Sequence, residues 1–189
     1  MESKALLRKR FREVRKSLLP RDHARLSEEA CRRVAESPLW QQAKTVLLYA
    51  PLGAELDVSF LVEEGWRCGK WVIFPKCREN PRSLDFFEAK SWEDLNTGAW
   101  GIREPDEERC RAVKPEDIDL ALIPVVAMDE TGVRLGNGGG YYDRVMEKFT
   151  CPVLIGFDQQ LAPSLPRENH DRTASWLATP TRMIQVRDI

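Results

Sequence analysis

The spacing of apolar positions changes character along this chain. Leu7, Phe11, Val14 and Leu18 recur at helical spacing behind Ser3, a suitable N-cap. Pro20 breaks that pattern, and a second helix is predicted through Ala24, Cys31 and Val34 to Ser37-Pro38. From TVLLYAP (45–51) the pattern becomes short, continuous apolar runs, as in strands buried on both faces. DVSFLVEEGWRCGK (57–70) reads as a helix with Asp57 at its N-cap and Gly65 or Gly69 at its end. WVIFP (71–75), SLDFFEA (83–89), IDLALIPVVAMD (118–129) and CPVLIGFD (151–158) are predicted strands, and a short strand from Met183 to Val186 would close the sheet. YYDRVMEKF (141–149) looks helical. Alternating strands and helices joined by short turns predict an α/β fold: an open, largely parallel sheet sandwiched by helices, in a single domain over 1–189. Ligands of such sheets sit beyond the carboxyl ends of the strands. The glycine-rich stretch after residue 129 and the stretches after TVLLYAP and LIGFD are therefore expected to converge.

Composition narrows the class. The 29 basic and 30 acidic side chains nearly cancel, so the chain as a whole is not a polyanion binder, and a nucleic-acid partner is not expected. Five scattered cysteines without a CxxC pair argue against a disulfide framework or zinc knuckle and for a reducing compartment. MESKALLRKRFREVRK lacks the apolar core of a signal peptide, and no run approaches the ~18 apolar residues of a membrane span. A cytoplasmic protein without a membrane partner is the expectation, and a monomer the expected assembly.

The candidate chemistry lies in RLGNGGGYYDR (134–144), where four glycines fill five positions. Glycine is the residue that loses most conformational entropy on folding, so such a cluster needs a geometric reason. A strand, a glycine turn and a helix start would make an anion site, from outward backbone N–H groups and the helix dipole. No GK[ST] follows, and the third position of a GxGxxG fingerprint falls on Tyr141, so neither the P-loop nor the dinucleotide motif fits. A tight connection without a ligand is the plain alternative. Arg134 and Asp143 add a phosphate partner and a metal ligand to the anion-site reading. Lys4, Arg8, Arg12 and Arg15 share one sector of the first helix. Lys4 and Arg8 either reach a phosphate or belong to a solvated face; Arg12 and Arg15 are expected on that face. His23 and His170 form no paired-ligand pattern, and no GxSxG elbow occurs. Phosphoryl transfer by positioning and electrostatics is the chemistry that these residue types suit.

DLALIPVVAMDETGVRLGNGGGYYDR (119–144) resembles the signature of the 5-formyltetrahydrofolate cyclo-ligase family. KALLR (4–8), YAPLGAELDV (49–58), GIREP (101–105) and LPRENHD (165–171) are similar to the family's other blocks, in the same order. The resemblance implies an ATP- and Mg²⁺-dependent conversion of 5-formyltetrahydrofolate to 5,10-methenyltetrahydrofolate. It places Lys4, Arg8 and the loop of Arg134, Leu135, Gly136, Asn137, Gly138, Gly139, Gly140, Tyr141 and Tyr142 on the ATP phosphates. Arg134, Tyr141 and Tyr142 would act on the reacting groups, with either tyrosine orienting the formyl group. Ala50 and Glu55 would lie against the folate, Trp100 would stack on a ring or simply pack, and Asp143 and Asp171 would serve Mg²⁺. RTAS (172–175) stands where members often carry a further acidic residue. Two other classes would suit parts of the pattern. One is a phosphate-binding enzyme of similar scaffold, such as a sugar-phosphate isomerase or CoA transferase; the other is a non-catalytic nucleic-acid-binding relative.

Overall fold

Ser3 opens the first helix by accepting the Leu6 N–H at 3.3 Å, and α1 (Lys4–Lys16) follows. In this computed structural model, residues 2–168 and 171–186 are described; Asn169 and His170 of the LPRENHD block lie outside the described residues. α2 (Pro20–Ala35) buries Ser27, Ala30, Cys31 and Val34, while Ala24 faces outward. A short α3 (Pro38–Gln42), not anticipated from the sequence, seats Trp40 at 1% exposure. β1 (Thr45–Leu47) leads to α4 (Ser59–Arg67), where the Asp57 carboxylate accepts the Ser59 N–H at 2.9 Å. Gly69, with φ +73°, follows that helix; Gly65 lies inside it.

β2 (Trp71–Glu79) and β3 (Arg82–Ala89) form a long hairpin. β4 (Leu95–Thr97) and β5 (Arg103–Pro105) form a small antiparallel pair, and β6 (Arg111–Val113) joins β3. The predicted strand 118–129 is divided. β7 (Leu120–Pro124) ends at a proline, which has no N–H for a ladder. β8 (Ala127–Met128) then pairs back with β9 (Arg134–Leu135). β10 (Pro152–Ile155), β11 (Trp176–Ala178) and β12 (Met183–Gln185) complete the strands.

Among the described residues, eight strands form one sheet in the order β12-β11-β10-β7-β1-β2-β3-β6. Pairings from β11 through β10, β7 and β1 to β2 are parallel, and the outer pairings are antiparallel. The expected largely parallel α/β sheet is thus present, with antiparallel strands at both edges.

The period of two divides the core. Val46, Val72, Leu120, Leu122 and Val153 face α2, α3 and α4; Leu47, Ile73, Ala121, Ile123 and Leu154 face the segment around Val145, Met146 and Phe149. That second layer is not the expected α-helix. Val145 has φ −125°, outside helical geometry, and only Met146–Lys148 forms a 3₁₀ turn. A third cluster joins Leu7 and Phe11 of α1 to Val126, Ala127, Val133 and Leu135 around the β8–β9 hairpin. No helix among the described residues is long and apolar enough to cross a membrane, and all five cysteines are unpaired.

The third cluster seats α1. Phe11→Ala should cost about 3 kcal/mol in urea unfolding. A loss below about 1 kcal/mol would mean that the apolar stripe does not hold the helix.

Candidate active site

β1 hands the chain to β2 on one side, and β7 later returns on the other, so the strand order reverses between β1 and β7. Loops leaving such a switch point diverge and open a crevice. Here it is a cleft of about 790 Å³. Residues after β1 (Ala50, Leu52, Glu55), residues after β7 (Val125, Val126), the glycine loop and the tip of the β4–β5 pair line it. Two of the three stretches expected to converge do so. The stretch after LIGFD does not line it: Asp158 accepts from the Thr179 and Thr181 hydroxyls at 2.7 and 2.6 Å. Gln160 instead braces the floor, donating to the Val125 and Val126 carbonyls at 2.8 and 3.0 Å.

The glycine loop owes its shape to α1. Arg8 Nε donates to the Gly136 carbonyl at 2.9 Å, and Arg12 Nη2 to the Asn137 Oδ1 at 3.1 Å. Arg144 Nη1 reaches the Gly139 carbonyl at 3.3 Å. Guanidinium groups thus occupy loop carbonyls on the outer side. Gly138 (φ +102°) and Gly140 (φ +67°) adopt backbone conformations that a side chain would strain. No α-helix follows the loop, so the expected helix dipole is absent.

Two readings of α1 change. Arg12 touches the loop, and Arg15 is only 9% exposed, so neither belongs to a freely solvated face. Arg15 is the fourth residue after Phe11, on the same helical ridge, and that spacing was the available signal. Lys4 bonds Asp171 at 2.8 Å and Glu168 at 3.1 Å, tying the helix start to the C-terminal segment. Burial alone would lower its pKa, but these two carboxylates raise it.

The cleft floor is cationic. Arg134, with its side chain 5% exposed, donates Nη1 to the Pro124 carbonyl at 3.1 Å, and Arg15 Nη1 donates to Val125 at 3.2 Å. The Nε of each is buried without a hydrogen bond. Arg134 Nε lies 3.4 Å from Asp143 Oδ1, close enough for an ion pair but misaligned for a hydrogen bond. Gly136 admits this guanidinium, since a Cβ there would approach Arg134 Nη1 at 2.8 Å. The guanidinium carbon stands 5.3 Å from the centre of the Tyr142 ring. Burial pushes the Tyr142 phenol well above the ordinary tyrosine range; Arg134 opposes the shift and the Glu55 charge adds to it. Glu55 is itself raised by burial, against the Leu52 N–H at 3.0 Å and the charge of Arg15. Tyr49, fully committed to the Leu56 carbonyl at 2.7 Å, lies beside them.

Of the remaining candidates, Ala50, Glu55, Trp100, Asn137 and Tyr141 line the cleft. Leu135 turns its side chain into the core against α1. Trp100 is 63% exposed at the rim with φ +54°, a strained backbone for a bulky residue and a kind of strain that clusters at ligand sites. Glu104, a buried carboxylate in the cleft wall, carried no sequence signal of its own beyond the GIREP block.

Among the described residues no three metal-ligating side chains cluster. Asp143 pairs with Arg134, and Asp171 shares the Lys4 ammonium with Glu168. That donor set suits Mg²⁺ carried mainly by phosphate and water rather than a dedicated protein cage.

Residues 1–180 match the 5-formyltetrahydrofolate cyclo-ligase family. The 5-formyltetrahydrofolate cyclo-ligase of Escherichia coli K12 is 31% identical over 178 residues, covering 92% of this chain and 98% of its own. A probable 5-formyltetrahydrofolate cyclo-ligase of Schizosaccharomyces pombe is 30% identical, over 82% of this chain and 84% of its own. The solution structure of Aquifex aeolicus 5,10-methenyltetrahydrofolate synthetase superimposes with a TM-score of 0.87 at 34% identity, covering 98% of this chain and 94% of that one.

The half-buried setting of Tyr142 has a direct optical consequence. Tyr142→Phe should leave the phenolate absorbance gained by the native protein between about pH 9 and 11 unchanged, since an ordinary tyrosine titrates near 10. A loss of one tyrosine's worth of absorbance in that range would place the phenol in solvent.

Proposed function

The chain belongs to the 5-formyltetrahydrofolate cyclo-ligase family, and from that premise we propose how the cleft at its strand ends closes the folate ring with ATP and Mg²⁺. It is a ligase of folate metabolism. The observation that carries the finer reading is that the glycine loop, Glu55 and the buried Arg134 guanidinium line one cleft, with Arg15 bonded to Val125 of its lining. A volume of about 790 Å³ suits a ligand-binding cleft whose two reactants meet end to end. Residues 1–189 act as one catalytic domain, in a reducing, cytoplasmic setting that its unpaired cysteines suit, and as a monomer that needs neither nucleic acid nor a membrane.

A formamide oxygen is a weak nucleophile and cannot leave unaided. In the proposed reaction it attacks the γ-phosphorus of ATP while the bond to ADP breaks. The N5 lone pair moves into the N5–C bond, giving an iminium phosphate. N10 of the same folate adds to that carbon and loses its proton; phosphate then departs with the former formyl oxygen. No protein nucleophile is needed. The chain's task is to align oxygen and phosphorus and to offset the charge that develops.

The N–H groups of Gly138, Gly139 and Gly140 approach the triphosphate from the loop, with Lys4 and Arg8 at its outer edge and Arg134 on the floor. Tyr142 stays protonated, and its O–H donates a hydrogen bond to the formyl or transferring oxygen; Tyr141 flanks it. Glu55 accepts from the 2-amino and N3–H edge of the pterin, against Ala50, and Trp100 stacks at the rim. Asp143 and Asp171 would be the carboxylate contacts of a Mg²⁺ carried mainly by the phosphates, which would supply further charge neutralisation.

The test is to mix the protein with 5-formyltetrahydrofolate, ATP and Mg²⁺ and follow the absorbance of the methenyl product. Absence of ATP-dependent product would sink the reading. Burial raises the Glu55 pKa, so its carboxylate is lost on acidification earlier than an ordinary one. Folate affinity should therefore fall at mildly acidic pH. Glu55→Gln should weaken folate binding by about 1.5–3 kcal/mol, flatten that pH dependence and spare ATP binding. Equal loss of both ligands would make Glu55 structural.

A further inference from the structure

One buried carboxylate in the cleft has no role in the chemistry above. Glu104, on β5, is 7% exposed and lines the cleft wall. Its Oε1 accepts the Cys77 N–H of β2 at 3.1 Å. Space is set aside for it: a Cβ on Gly98, across the β4–β5 turn, would overlap the carboxylate. The nearby Cys77 thiol, pushed up to about 11 by burial and then by Glu104, stays protonated beside it.

The cations on either side are committed elsewhere. Arg103 Nη2 donates to the Trp92 carbonyl at 2.7 Å and its guanidinium packs on the Trp92 ring. Lys76 pairs with Glu107 at 3.4 Å. Among the described residues no ion pair joins Glu104. A carboxylate has about four lone-pair sites, and a buried one is costly unless they are filled. Here Cys77 supplies a backbone N–H and its protonated thiol, and the remaining sites lie on the border of a ligand cleft.

We propose that Glu104 binds the N8–H of the reduced pterin and thereby selects reduced over fully oxidised folates. The inference rests on the reading that the cleft takes 5-formyltetrahydrofolate with Glu55 on the 2-amino and N3–H edge. With that edge engaged and N5 formylated, N8–H is the remaining N–H on the rings themselves, and N10 must stay free to attack. In folic acid the same nitrogen carries no hydrogen and is an acceptor. Two acceptors face to face repel, so one carboxylate both attracts the reduced ring and rejects the oxidised one.

Glu104→Gln separates this role from bracing. The amide oxygen can still accept the Cys77 N–H, while the amide nitrogen can donate to an oxidised N8. Dissociation constants for 5-formyltetrahydrofolate, folic acid and ADP are measured by calorimetry on wild type and variant. The reduced ligand should bind about tenfold weaker or worse in the variant. Folic acid should bind as well or better, and ADP within about twofold. Parallel loss of both pterins, or an unchanged preference, overturns the proposal. Should the variant not fold, wild type itself decides. An analogue of 5-formyltetrahydrofolate with carbon at position 8 should bind at least about tenfold weaker, and equal affinity overturns the proposal. Wild type that neither binds 5-formyltetrahydrofolate nor forms product would instead defeat the functional reading.

Discussion

The site depends on the packing of one helical stripe against one short hairpin. Leu7 and Phe11 of α1 meet Val126, Ala127, Val133 and Leu135, residues in and around the two-stranded turn that carries the chain from the sheet into the glycine loop. Burial of these side chains is non-directional and would tolerate many sequences. Its consequence is directional. The basic edge of the same helix arrives over the loop, where Arg8 and Arg12 take up the carbonyls of Gly136 and Asn137. In a planar trans peptide the N–H points opposite its own carbonyl, so holding the Gly136 and Asn137 oxygens from one side turns the Asn137 and Gly138 N–H groups toward the other. In this protein the hydrophobic contact sets the position, and charge-assisted hydrogen bonds set the orientation.

Beneath the loop, the carboxyl end of β7 is held by two guanidinium groups of opposite origin, Arg15 from α1 and Arg134 from β9. Each keeps a buried Nε without a hydrogen bond, a cost that folding must bear elsewhere. Positive charge that is desolvated before any ligand arrives needs little reorganisation when a phosphoryl group develops charge beside it. The same floor counteracts the burial of Glu55, whose pKa burial raises and Arg15 lowers. Loop, cation and carboxylate therefore belong to one electrostatic arrangement.

Much of the frame was legible because buried strands leave continuous apolar runs. TVLL, WVIF and PVLI all fall in or beside parallel strands. The division of 118–129 was also written in the chain, at Pro124, but the apolar run on both sides masked it. YYDRVMEKF misled for a different reason. Tyr142, Val145, Met146 and Phe149 are spaced like a helix face and do pack together on the sheet, yet they do so without an α-helical backbone. Period alone reports which side chains are buried, not how the backbone bonds. The glycine loop, Glu55 and Trp100 stood out by composition or resemblance. Arg15 and Glu104 did not, because a charged residue is normally exposed and only three-dimensional packing shows it to be buried.

Amide hydrogen exchange across the glycine loop tests the central claim that carbonyls held by Arg8, Arg12 and Arg144 leave N–H groups of the loop free for the proposed nucleotide. Exchange at Gly138, Gly139 and Gly140 is measured in the free protein, with ADP and Mg²⁺, and with 5-formyltetrahydrofolate alone. The account requires strong slowing of these amides by nucleotide and little change with folate alone. Unchanged exchange at the loop under saturating nucleotide, with protection appearing elsewhere, would contradict it.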